Sequence, residues 1–223
     1  MAQYRNGPLW LGIEEKESTL KARPVALRRI HDAALRLYAE KGTTDVSVKD
    51  LAEMAGVARG TIYNNLEQPD RLFEQVAAQL ADEMHTCVVE VLGAIDDPAQ
   101  RLSAGIRMYA QRAHEQPHWG RFMVQFAYTS NTLRSLWTGP PTQDLLSGIE
   151  ESRYDISPEQ LLCALGVIGG ATLSAILLVL EGAATWRDAG TQTAVLVLRS
   201  LGLDTAEANR IARLEIPPWA IDG

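Results

Sequence analysis

Residues 161–180, LLCALGVIGGATLSAILLVL, form twenty consecutive positions without a charged side chain. As an α-helix this run spans about 30 Å, which is long enough to cross a bilayer. Gly166 and Gly170 also have the Gly-x-x-x-Gly spacing of paired membrane helices. The other interpretation is a helix of a water-soluble protein that meets its own core on one side and a partner on the other. Both interpretations exclude an isolated surface helix.

The composition is that of a globular protein rather than a disordered or disulfide-stapled chain. The 223 residues are 46% hydrophobic and 22% charged, and the two cysteines, Cys87 and Cys163, are too few for a disulfide framework. The N-terminus lacks the basic and apolar regions of a secretory signal. We therefore expect a cytoplasmic protein.

Helical periodicity recurs along the chain, and we find no alternating strand pattern. The sequence predicts an all-α fold with a three-helix head and a larger C-terminal helical bundle. We expect Pro69 at the first position of the fourth helix, a loop over 131–141, a helix over 142–154, a helix that begins at Asp188 and a last helix capped by Thr205.

The segment 47–66, SVKDLAEMAGVARGTIYNNL, predicts two short helices joined by one tight turn. Ser47 begins the first helix as a capping residue, and Gly56 lies where the turn needs a positive φ. This pattern is typical of a helix-turn-helix, whose second helix enters the major groove of DNA. Residues 1–73 carry 11 Lys and Arg against 10 Asp and Glu, whereas residues 74–223 carry 10 against 18. The lower acidity of the head fits a polyanionic partner.

Polar and small residues near the start of the second helix are the candidates for contact with DNA. Arg pairs with guanine, Asn with adenine, and the Thr methyl group contacts the thymine methyl. With the positions around the first helix, the candidates are Ser47, Lys49, Arg59, Gly60, Thr61, Tyr63, Asn64 and Asn65. For Tyr63 two roles are open, a phosphate contact or closure of the small core.

Residues 26–73 resemble the DNA-binding domain of TetR-family transcriptional regulators. The resemblance lies in the pattern Val48-x-x-Leu51-Ala52-x-x-Ala55-Gly56-Val57-x-x-Gly60-Thr61-Ile62-Tyr63, preceded by Ile30, Ala34, Leu37 and Gly42 and followed by Leu66, Leu72 and Phe73. The chain departs from the family at four positions. Ala58 replaces the usual Ser or Thr cap of the recognition helix, Asn65 and Leu66 stand where His and Phe are frequent, and Pro69 replaces a phosphate-binding Lys. Fewer phosphate contacts predict a shallower salt dependence, which Lys16, Lys21, Arg23, Arg28 and Arg29 could offset.

The resemblance implies a homodimer, because family members pair their last two long helices between subunits. It favours the soluble interpretation of residues 161–180 over a membrane span. The expected divisions are an N-terminal arm (1–22), a DNA-binding domain (23–83) and an effector-binding and dimerisation domain (84–223). The expected interface residues are Gly166, Gly170, Leu173, Leu177, Val195 and Leu198.

The family's C-terminal region usually encloses an effector pocket, so we expect a small, largely apolar effector. Candidate lining residues mix apolar bulk with a few polar groups. They are Met84, His85, Val88, Met108, Phe122, Phe126, Trp137 and Cys163. For each of them, ordinary core packing is the competing interpretation.

Two other motifs are weaker. His114-Glu115-Gln116-Pro117-His118 matches the H-E-x-x-H pattern of zinc hydrolases, but Pro117 interrupts the helix that would place both imidazoles on one face. Met84-His85-x-Cys87 holds soft metal ligands, yet neighbouring helical residues point apart.

These observations predict a DNA-binding regulator, not an enzyme, with no cofactor and no metal. We expect a ligand-responsive repressor that binds a palindromic operator as a dimer and leaves DNA when the effector binds. A transcriptional activator of the same fold, a zinc-dependent hydrolase using His114 and His118, and a membrane-anchored protein are the alternatives.

Overall fold

The computed structural model describes residues 25–66 and 68–219, which form eleven α-helices and no strand. The predicted N-terminal arm (1–22), with Lys16 and Lys21, lies outside these residues, and so does Arg23. The helices are α1 Val25–Lys41, α2 Val48–Ala55, α3 Arg59–Asn65, α4 Leu72–Leu92, α5 Pro98–Glu115, α6 Pro117–Phe126, α7 Asn131–Thr138, α8 Pro140–Glu150, α9 Leu161–Leu180, α10 Trp186–Ser200 and α11 Thr205–Ala212. The all-α prediction is confirmed.

One predicted loop is wrong. Residues 131–138 form α7, because Ser130 caps the helix by accepting a hydrogen bond from the Leu133 amide, and Leu133, Leu136 and Trp137 bury its inner face. Gly139 and the prolines that follow separate two helices instead of extending a loop. The next helix, α8, therefore begins at Pro140 and ends at Glu150, earlier than the predicted 142–154.

Three helix starts also differ in detail. Pro69 begins a short 3-10 turn, Pro69–Arg71, and α4 begins only at Leu72. The last helix is capped by Asp204, whose side chain accepts from the Glu207 amide at 2.8 Å, so Thr205 is its first helical residue. Thr185 caps α10, which begins two residues before Asp188.

The core of the head continues into the body. Tyr38 of α1, Phe73 of α4 and Phe122 and Phe126 of α6 form one aromatic cluster with ring centroids 5.1–6.2 Å apart. Aromatic contacts of this kind add stabilisation to the buried area. The head is thus seated on α6 and α4 through shared packing.

A second core lies behind α5, where α8, α9, α10 and α11 pack. Its buried residues include Leu102, Ile106, Leu145, Leu165 and Leu198. Close approach of α10 to α5 depends on a glycine, because a Cβ at Gly190 would lie 3.1 Å from Arg107 Cα.

Helix α9 is buried on one side and exposed on the other. Together with the preceding turn it is long and apolar enough to span a membrane by length and composition, but 39% of that window is buried within the protomer, and core helices of soluble proteins pass the same test. Its exposed apolar residues are Leu162, Val167, Leu177 and Leu178.

Candidate functional site

Helices α2 and α3 are joined by the tight turn that the sequence predicts. Ser47 Oγ accepts the Asp50 amide at 3.1 Å and begins α2. Gly56 then adopts the left-handed conformation with φ 63° and ψ 41°, where other residues are strained. The Val57 amide donates to the Ala52 carbonyl at 3.0 Å and closes the turn. Local bonding therefore fixes the tight turn between the two helices.

Helix α3 is held by one buried side chain and presents the rest outward. Ile62 is fully buried, whereas Arg59, Gly60 and Asn64 are exposed. Apart from the backbone of its own helix and its chain neighbours, no atom of the described residues lies within 4 Å of a Cβ placed on Gly60, so the backbone there is open to a close-approaching ligand. The helix therefore presents exposed polar groups that a ligand can reach.

The remaining predicted DNA contacts differ in how free they are. Tyr63 is 61% exposed and does not close the core, which favours the phosphate contact of its two possible roles. Asn65 is half-buried and its Nδ2 donates to the Thr61 carbonyl at 2.8 Å, so part of its hydrogen-bonding capacity serves the helix. Lys49 is exposed near the start of α2.

The body contains a cavity between α4, α5, α7, α8 and α9. Four predicted pocket residues line it, namely Met84, His85, Val88 and Trp137. Residues that sequence reasoning missed complete the wall: Leu92, Arg101, Leu102, Gly105, Ile106, Tyr109, Leu136, Pro140, Pro141, Asp144, Ile168 and Thr172. The lining is largely apolar, as in many small-molecule sites.

The other four predicted pocket residues lie elsewhere. Phe122 and Phe126 belong to the aromatic cluster beneath the head, and Met108 is fully buried in the same core. Cys163 is exposed near the start of α9. Sequence periodicity marks such residues as inward or outward facing, but it does not say which of two interior spaces an inward residue meets.

One ion pair stands in the cavity wall. Arg101 Nε lies 2.6 Å from Asp144 Oδ1, and Arg101 Nη1 donates to the carbonyls of Ile95 and Asp96 at 2.7 Å. Burial raises the pKa of Asp144, and the hydrogen bond from Arg101 acts in the opposite direction. The two residues are 43 positions apart, and no motif in the sequence connects them.

A chain of polar contacts connects the head to the body beside this cavity. His31 Nδ1 of α1 lies 2.6 Å from Gln79 Oε1, and Gln79 Nε2 donates to Glu83 Oε1 at 2.8 Å. Arg112 Nη2 of α5 then donates to Glu83 Oε2 at 2.8 Å. Arg112 is buried, its Nη1 contacts the sulfur of Met84 at 3.7 Å, and Met84 also lines the cavity.

Half of the predicted interface residues are unavailable to a partner. Leu173, Val195 and Leu198 are 7%, 6% and 0% exposed within the protomer, so the interface assignment of these three is wrong. Leu173 is packed into the core that continues from the head, and Val195 and Leu198 are packed into the second core. Gly166 and Leu177 are exposed and Gly170 is partly exposed on the outer side of α9.

The H-E-x-x-H segment is a corner between two helices. Helix α5 ends at Glu115, Gln116 has the non-helical angles φ −129° and ψ 78°, and Pro117 begins α6. His114 and His118 therefore belong to different helices. Within residues 25–66 and 68–219 no group of three or more His, Cys, Asp or Glu is placed to hold a metal ion.

Two short helices are joined by a turn at a glycine, the second of them presents its polar residues outward, and the pair is packed on a helical body with an internal cavity. This arrangement defines a helix-turn-helix DNA-binding regulator. Residues 30–65 match the family described as bacterial regulatory proteins, tetR family, and residues 97–214 match the tetracyclin repressor-like C-terminal domain. The second match covers more than half of the chain. The chain belongs to the TetR family of transcriptional regulators.

Individual relatives agree with this assignment. The crystal structure of RolR in complex with resorcinol is 27% identical, with a TM-score of 0.65 over 86% of this chain and 95% of RolR. The transcriptional regulator BetI of Brucella anthropi is 27% identical over 117 residues, which are 51% of this chain and 60% of BetI. The transcriptional repressor KstR2 of Mycolicibacterium smegmatis is 25% identical over 85 residues, which are 38% of this chain and 41% of KstR2.

Proposed function

We propose that the protein is a ligand-responsive repressor that acts in the cytoplasm, binds a palindromic operator as a homodimer, and is released from DNA by a small effector in the body cavity. The observation that carries this proposal is that one helix serves both sites. Helix α4 begins beside the head, where Phe73 packs on Tyr38, and its later residues Met84, His85 and Val88 line the cavity. A ligand that displaces α4 therefore acts on the head directly.

Release requires the effector to bind one arrangement of the two heads more tightly than the other. In a dimer the two recognition helices meet successive major grooves about 34–36 Å apart, so a modest movement of each head removes the match. RolR, whose crystal structure contains resorcinol, supports a small-molecule effector for a chain of this shape. Regulation by activation is the second outcome that the same fold allows.

The direct test is to select bound sequences from a random DNA pool with the purified full chain. We expect a palindrome whose half-sites lie about one helical turn apart. Arg59→Ala should then cost about 1–3 kcal/mol at particular base pairs of that site. Arg213→Ala is the matched control, because Arg213 is also exposed but directly follows α11, outside the helix-turn-helix.

Three results would contradict the proposal. A uniform loss over all sequences would show that Arg59 contacts only phosphate. If effector-free protein enriches no palindrome, the proposed operator is contradicted. If expression of a reporter gene rises with protein concentration, the protein activates transcription instead of repressing it.

A further inference from the structure

The cavity is small. The volume open to the centre of a water-sized sphere is about 40 Å³, a few times the roughly 10–15 Å³ that a single water needs. Pro140 and Pro141 form part of the wall, and their rings restrict the backbone that would have to move to lengthen the space. A space of this size favours a compact ligand over a long acyl chain.

The wall is built to receive a flat apolar body. The rings of Tyr109 and Trp137 lie with centroids 5.4 Å apart and both line the cavity. The sulfur-bearing side chain of Met84 and the branched side chain of Ile106 complete this surface. Aromatic rings and methionine sulfur favour contact with another aromatic ring over a saturated one.

The charges in the wall cancel. Arg101 Nε is paired with Asp144 and its Nη1 with two backbone carbonyls, so the one Arg or Lys among the described lining residues is already neutralised by a carboxylate. A cationic ligand would in turn lie beside the Arg101 guanidinium. The pair therefore favours a neutral ligand, because an added charge in this buried place would be opposed by one partner or the other.

The same pair and one indole supply complementary hydrogen-bonding groups. A carboxylate has about four acceptor sites, and Arg101 Nε occupies one of those on Asp144. Trp137 is 94% buried, since its exposed fraction is 6%, and its Nε1 has no hydrogen-bond partner among the described residues. A Cβ at Gly169 would lie 3.5 Å from Trp137 Cδ2, so this side of the indole packs against α9. An acceptor and a donor carried by two side chains that line one cavity match a hydroxyl group, which is both.

We propose that this cavity binds a neutral single-ring aromatic compound with at least one hydroxyl group. The hydroxyl hydrogen donates to Asp144, a hydroxyl oxygen accepts from Trp137 Nε1, and the ring lies against Trp137 and Tyr109. This inference rests on the proposed effector cavity and names the ligand class and the residues that select it.

The test is calorimetric titration of the full chain with five probes: phenol, resorcinol, toluene, benzoate and lauroyl-coenzyme A. We expect phenol and resorcinol to bind, toluene to bind about ten-fold more weakly, and benzoate and lauroyl-coenzyme A not to bind. Asp144→Asn should weaken phenol binding about ten-fold or more and leave toluene binding within about two-fold.

Trp137→Phe keeps an aromatic ring and removes the N–H, so it should weaken resorcinol more than toluene. Trp119→Phe is the matched control, because Trp119 Nε1 is also buried without a partner among the described residues, but Trp119 does not line the cavity. Circular dichroism melting shows that each variant is folded before titration.

Equal binding of toluene and phenol, loss of both probes alike in Asp144→Asn, or absence of phenol and resorcinol binding would overturn the inference. Operator release is measured separately by fluorescence anisotropy. Phenols that bind without releasing DNA would uphold the ligand class and contradict the proposed function. Release by lauroyl-coenzyme A without phenol binding would uphold the proposed function and contradict the ligand class.

Discussion

The two helices of the helix-turn-helix, α2 and α3, begin with different caps. Ser47 Oγ accepts the Asp50 amide of α2 at 3.1 Å, whereas Ala58 has the same extended backbone, φ −70° and ψ 150°, but no side-chain acceptor for α3. An uncapped start leaves amide groups of the first turn to water or to a ligand. In this head those amides lie beside the exposed Arg59 and Gly60, where a DNA phosphate could accept from them.

We predict that Ala58→Ser stabilises the free protein by about 0.5–2 kcal/mol, because the hydroxyl accepts an amide of the first turn. Ser47→Ala is the matched control and should lower stability by a similar amount. The free energy of unfolding in urea measures both. A destabilising Ala58→Ser would mean that the backbone at 58 does not place a hydroxyl at the first turn of α3.

At the scale of the element, α4 contacts both the head and the cavity. Its first residues pack under the head, and its middle residues face the cavity on one side and Arg112 on the other. Arg112 is 1% exposed in its side chain, lies 2.8 Å from Glu83 and places its Cζ 4.6 Å from the Trp119 ring centroid. Burial lowers the pKa of Arg112, and the Glu83 carboxylate opposes that shift. Glu83 therefore compensates the buried charge of Arg112 at the junction of α4 and α5.

Glu83→Ala should lower the free energy of unfolding by about 3 kcal/mol, because it leaves the buried Arg112 without its carboxylate. Glu74→Ala, on the same helix, removes an exposed carboxylate bonded to Thr132 Oγ1 at 2.8 Å and should cost less than about 1 kcal/mol. Urea denaturation of both variants gives the comparison. Equal losses would show that the Arg112 pair does not hold α4 in place.

At the scale of the molecule, α9 has an apolar side that the protomer does not cover. Leu162, Val167, Leu177 and Leu178 are 78%, 51%, 41% and 40% exposed, and Gly166 and Gly170 lie among them. Exposed apolar area of this kind marks an interaction surface. A second copy of α9 is the occupant that the proposed operator-binding dimer requires.

Val167→Glu should convert a dimer into a monomer, because the carboxylate is solvated in the free protomer but buried unpaired in the interface. Val89→Glu is the control, since Val89 is 49% exposed on α4. Light scattering after size exclusion gives the mass of each variant. A dimeric Val167→Glu would place the interface elsewhere, and a wild-type chain recovered only with detergent would favour a membrane role for α9.

The helix-turn-helix, α2 and α3 with the turn between them, could be predicted from the sequence alone. The cap at Ser47 and the left-handed turn at Gly56 depend on residues within a few positions of one another, whereas the burial of Ile62 also needs α1, which shares its core. Hydrogen bonds between near neighbours and the steric limits of φ act in the same way wherever the segment is placed. Their spacing therefore predicted both the local fold and its outward polar face.

The cavity and the free face of α9 were decided by tertiary structure. Helical spacing shows that Phe122 is buried, but only packing places it under the head and not in the cavity. Arg101 and Asp144 are 43 positions apart in the sequence, and their ion pair joins α5 to α8. The inward direction of the buried Leu198 depends on how α10 packs against α5. Contacts between distant segments follow from the arrangement of whole helices, which periodicity within one helix does not specify.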